Sequence, residues 1–63
     1  MKVKEVIKMI EQKGWIKVAQ KGSHRQYKHA ELPGRVTIAG NLNDDLPKGT
    51  LQSVLKQSGI IKN

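Results

Sequence analysis

With 63 residues the chain has room for one domain with a thin core, because so short a chain buries a smaller share of its surface than a longer one. Twelve Lys and Arg against five Asp and Glu give a formal net charge of +7, so nucleic acid leads the expected partners, ahead of an acidic protein and, third, an anionic membrane surface. The lack of cysteine excludes disulfide staples and thiolate-held zinc and suits a reducing cytoplasm, while Lys4, Glu5 and Lys8 break the opening apolar run, so neither a signal peptide nor a membrane span is expected there.

Val3, Val6, Ile7 and Ile10 recur at the i, i+3, i+4, i+7 spacing of one helical face and predict a first helix, with Lys13 in its last turn and Gly14 as its left-handed stop. From Trp15 the period changes to two, with Ile16 and Val18 on one face and Trp15, Lys17 and Ala19 on the other, up to the turn signal at Lys21, Gly22 and Ser23. A second strand is expected from His24 to His29. Its faces are His24, Gln26, Lys28 and Arg25, Tyr27, His29, and the Glu31 to Gly34 segment with Pro33 then turns the chain. Arg35 to Ala39 reads as a third strand with Val36 and Ile38 inward. After a polar stretch from Gly40 to Asp45, helical spacing returns at Leu51, Val54, Leu55 and Ser58, with Gly59 as a stop. Pro47 at a first helical position and Thr50 as an N-cap both suit the start of this helix. The expected fold is α+β: a single α-β-β-β-α domain over residues 1–63, its three antiparallel strands covered on one face by two helices and lined by cations on the other.

Histidine is the side chain that exchanges protons most readily near neutrality, with an unperturbed pKa of about 6.5, so His24 and His29 are the first candidates for acid–base work. Five residues apart on one strand, they point to opposite faces and stand roughly 16 Å apart at about 3.3 Å per residue, so any catalysis rests on one of them. Ser23 beside His24 makes no serine hydrolase, because neighbouring extended residues point in opposite directions and no acidic orienter lies nearby. Two histidines with Asp44 and Asp45 match no zinc, calcium or magnesium spacing, so neither a metal nor a small-molecule cofactor is expected. His24 sits among Lys21, Arg25 and Lys28, which together with Lys17 are the expected backbone-phosphate contacts. Such a histidine can take the proton of an RNA 2′-hydroxyl and start internal attack on the adjacent phosphorus, chemistry that DNA lacks. Residue patterns alone leave His24 either as that base or as an exposed strand residue. One Trp, one Tyr and no Phe are too few for a sheet of stacking aromatics, so base-specific reading is not expected.

Four features carry a family resemblance: the amphipathic opening helix ending in Gly14-Trp15, the segment KGSHRQYKH, the strand VTIAG, and the closing LPKGTLQSVLKQSGI. Across nearly its whole length the chain resembles the HicA toxins of bacterial and archaeal toxin–antitoxin pairs. The resemblance implies a fold like a double-stranded-RNA-binding domain and a cytoplasmic, stress-linked messenger-RNA endoribonuclease that needs no metal and is inhibited by a HicB-type antitoxin encoded beside it. It puts the catalytic histidine at His24, and Gly22 and Ser23 in the turn that presents it. Many members carry a second histidine just after the third strand, where this chain has Gly40 and Asn41. A non-catalytic binder of double-stranded RNA and a protein-interaction module are the competing expectations.

Overall fold

The computed structural model describes residues 1–61. Helix α1 spans Val3–Gln12, strands β1, β2 and β3 span Ile16–Lys21, His24–Lys28 and Val36–Ile38, and helix α2 spans Lys48–Gln57. The strands form one antiparallel sheet in the order β1-β2-β3. The expected α+β order is thus the observed one, with β2 ending at Lys28, β3 shortened at both ends and α2 starting at Lys48.

Each helix is terminated by backbone geometry its sequence dictates. At the end of α1, Gly14 N–H donates to Glu11 O at 3.0 Å and Trp15 N–H to Ile10 O at 3.1 Å, the paired bonds of a Schellman motif. The motif brings Trp15 onto Ile10, and both are buried. Gly14 has φ 101, and a Cβ there would lie 2.8 Å from the His29 ring, so both conformation and space demand glycine. The end of α2 repeats the pattern, with Gly59 N–H on Lys56 O and Ile60 N–H on Leu55 O. At the start of α1, Val3 N–H donates to Asp44 O at 2.8 Å and Lys4 N–H to Leu42 O at 3.0 Å, while Glu5 Oε1 accepts from Lys2 N–H at 2.8 Å. The loop after β3 therefore supplies the carbonyls that the first helical turn lacks internally.

The core is one cluster. Val3, Val6 and Ile10 of α1 and Val54 of α2 meet Tyr27, Val36 and Ile38 of the sheet, with Leu46 from the intervening loop. Trp15 closes the end of this cluster, and its indole Nε1–H donates to Ser58 O at 3.0 Å, which joins the start of β1 to the end of α2. Burial raises the pKa of the Tyr27 phenol; the Glu11 carboxylate raises it further and Arg25 lowers it.

Strand β1 departs from its expected pattern. Trp15 is buried ahead of the strand, while all six residues of β1 are exposed, Ile16 at 66% and Val18 at 51%. A bulge between Lys17 and Ala19 leaves Val18 without a partner, so Lys17 pairs with Tyr27 but Ala19 pairs with Gln26. Lys17 and Ala19, expected to share a face, therefore lie on opposite ones. Together with Lys17 and Lys21, the bulge blunts this outer edge against pairing with another strand.

Candidate functional site

The hairpin between β1 and β2 has Lys21 and His24 as its last pair, leaving Gly22 and Ser23 as a two-residue loop. Gly22 has φ 58, as the first central residue of a II′ turn requires. His24 is exposed at this lip, and residues that pair directly across strands share a face, so Lys21 stands beside it with Cβ atoms about 4.5–5.5 Å apart. On the same open face follow Gln26, paired with Ala19 and with Thr37, and then Lys28, paired with Ile16. Lys28 is four residues along the strand from His24, about 13 Å at 3.3 Å per residue.

The four cations expected to contact RNA are divided by the sheet. Lys21 and Lys28 share the open face with His24. Lys17 is on the other side, opposite Tyr27, where its Nζ donates to Gln20 Oε1 at 2.6 Å. Arg25 also faces the helices and is only 8% exposed; its Nη1 donates to Ser23 O at 3.1 Å and to Gly40 O at 2.9 Å. A further cation joins the open face: Arg35 Nη1 donates to Gln26 Oε1 at 2.5 Å, which draws a guanidinium toward the middle of β2. Continuing the alternation of inward Val36 and Ile38 one residue back marks Arg35 as outward, a signal available in the sequence. Its backbone is anchored where Gln57 Nε2–H donates to Arg35 O.

His29 does something else. Its Nε2–H donates to Lys13 O at 2.9 Å, and Nδ1 accepts from Glu31 N–H at 3.0 Å and Leu32 N–H at 3.1 Å. A carbonyl on one nitrogen and two N–H donors on the other select the neutral Nε2–H tautomer. The ring also meets Trp15 edge-on, with centroids 5.3 Å apart and planes at 61°. Both nitrogens are committed to backbone, so His29 latches the segment after β2 to the end of α1 and leaves His24 as the open face's imidazole. His29→Ala should lower stability by about 0.5–1.5 kcal/mol, because three solvent-exposed hydrogen bonds and the edge contact with Trp15 are lost while water replaces part of the bonding. His29→Asn, whose Oδ1 can replace Nδ1, should recover part of the loss. Thermal melts of the two variants measure this, and equal melting temperatures for both and the parent would contradict the latch.

A shallow groove of about 270 Å³ lined by Met9, Gln12, Lys13 and Ile60 lies on the helical side, away from His24. Among the described residues no group of three or more His, Cys, Asp or Glu is placed to hold a metal ion, and no helix is long and apolar enough to cross a membrane. The open face thus carries Lys21, Lys28 and Arg35 with one exposed imidazole at its end.

Comparison with known proteins agrees with the fold. The family described as HicA toxin of bacterial toxin-antitoxin matches residues 3–60. Among solved structures, a toxin-antitoxin complex from Streptococcus pneumoniae contains a chain 35% identical to this one, with a TM-score of 0.74 over 94% of this chain and 97% of that chain. No curated protein matches the chain.

Proposed function

The chain belongs to the HicA toxin family, and on that premise we propose that it is a toxin acting as a metal-independent messenger-RNA endoribonuclease, a single domain in the cytoplasm held in check by a HicB-type antitoxin. The observation that carries this reading is the exposed His24 at the hairpin lip, opposite Lys21, on the open face that also bears Lys28 and Arg35. The similar chain found in a toxin-antitoxin complex supports an antitoxin as the second partner.

The chemistry follows from those positions. His24 accepts the proton of a ribose 2′-hydroxyl, and the 2′-oxygen bonds to the adjacent phosphorus as the bond from phosphorus to the 5′-oxygen breaks. The leaving 5′-oxygen takes a proton from water, and the products are a 2′,3′-cyclic phosphate end and a 5′-hydroxyl end. Lys21 beside the imidazole stabilises the charge that develops on the phosphoryl oxygens. Lys28 and Arg35, farther along β2, hold the flanking phosphates and contribute a salt-dependent share of affinity. Lys17 and Arg25, on the other face, are not among these contacts.

Pure chain freed of any antitoxin, incubated in excess chelator, should cut an RNA oligonucleotide into fragments with cyclic-phosphate ends. The same oligonucleotide with 2′-deoxyribose throughout should remain intact. Equal cutting of both, or fragments ending in 5′-phosphate, would overturn the mechanism. The same α-β-β-β-α order and cationic face suit a non-catalytic binder of duplex RNA, which predicts salt-sensitive retention of RNA and no fragments at any time.

A further inference from the structure

We propose that Arg25 is the positioning residue for His24, holding the hairpin lip in the conformation that presents the imidazole; this rests on His24 being the base of the cleavage described above. Adjacent strand residues point to opposite faces, so Arg25 passes to the covered side while His24 stays on the open one. There Arg25 Nη1 bridges Ser23 O at 3.1 Å and Gly40 O at 2.9 Å, and Gly40 N–H also donates to Ser23 O at 3.3 Å. The peptide before His24 is therefore tied to the segment after β3 by both a backbone bond and a guanidinium.

That segment is itself fixed. Two and four residues beyond Gly40, the carbonyls of Leu42 and Asp44 accept from Lys4 and Val3 at the start of α1, and Leu46 N–H donates to Met1 O at 3.0 Å. Hydrogen bonds thus fix this short segment at both ends, to the first turn of α1 at Leu42 and Asp44 and to the lip at Gly40. Without the Arg25 guanidinium, the lip would keep only the Gly40 N–H bond to Ser23 O, at 3.3 Å, and the last rung to the exposed edge strand β1.

Burying a guanidinium is costly unless its hydrogen bonds compensate, and here the carbonyls of Ser23 in the lip and Gly40 after β3 do so. A methionine would fill the same space but would leave Gly40 O without its donor and the lip without the guanidinium that grips both carbonyls, so some loss of stability is expected beside the loss of position.

The test compares Arg25→Met and Arg25→Lys with the parent, by RNA cleavage, RNA affinity against salt, and backbone ¹⁵N relaxation. Arg25→Met should lower kcat about 10–100-fold, the penalty for a misplaced reacting group, with KM and the salt slope unchanged. Arg25→Lys, which keeps donors near the carbonyls, should lose less. The Ser23 and His24 amides should move more on the picosecond-to-nanosecond scale in Arg25→Met than in the parent. A raised KM and a shallower salt slope with kcat preserved would make Arg25 a phosphate contact and overturn the proposal. Activity that merely tracks the folded fraction would overturn it as well. The relaxation arm does not need cleavage: if His24 proves dispensable the catalytic reading falls, whereas unchanged amide motion in both variants defeats the positioning role by itself.

Discussion

His24→Ala should slow RNA cleavage by about 100- to 10,000-fold, the usual contribution of a positioned general base. The side chain is exposed at the lip and belongs to no part of the core, so its removal should leave the melting temperature unchanged. RNA affinity should also persist, because Lys21, Lys28 and Arg35 remain on the same face. Single-turnover cleavage measures the rate loss directly. Induction in a growing host reads it indirectly: the parent should arrest growth, the variant should not, and co-expression of an antitoxin that binds the chain should relieve the arrest. A variant that cleaves as fast as the parent would remove His24 from the mechanism.

Trp15→Ala should be the most damaging single change to the fold. Truncating a buried aromatic costs about 3–5 kcal/mol, whereas at roughly 0.05–0.15 kcal/mol per residue a domain of this length has a total of only about 3–9 kcal/mol. The variant should therefore lose a large part of the parent's stability, and should be largely unfolded if the parent lies at the low end of that range. The loss has three sources: the ring that caps the core beside Ile10, the indole bond to Ser58 O, and the edge-on contact with His29. Trp15→Phe separates them, since it retains most of the packing and loses the donor to a buried carbonyl, which should cost about 1–3 kcal/mol. Urea unfolding of the two variants measures both values. A Phe variant as unstable as the Ala variant would place the energy in the hydrogen bond rather than the ring.

Residue order alone was enough to read the element order, the inward Val36 and Ile38, the Gly14 and Gly59 stops and the Gly22-Ser23 turn, because each depends on local periodicity or on the conformational freedom of one residue. That His24 and His29 point to opposite faces was legible for the same reason. His29 as a latch was not, since its three partners come from two segments that meet only when α1 packs on the sheet.

The clearest division lies in β1. Simple alternation puts Lys17 and Lys21 on one face, but the bulge at Val18 adds one residue to β1 and reverses the faces beyond it, leaving Lys17 across from Tyr27 and bringing Lys21 across from His24. Arg25 met a related fate: its charge suggested a phosphate contact, but Ser23 O and Gly40 O, brought together by the third strand's return, supply acceptors for a buried guanidinium. The sequence thus determined which segments are helix and strand, because that choice is made within a few consecutive residues. Only the assembled sheet decided which cations stand beside the imidazole, because strand register and the partners of a buried charge depend on groups distant along the chain.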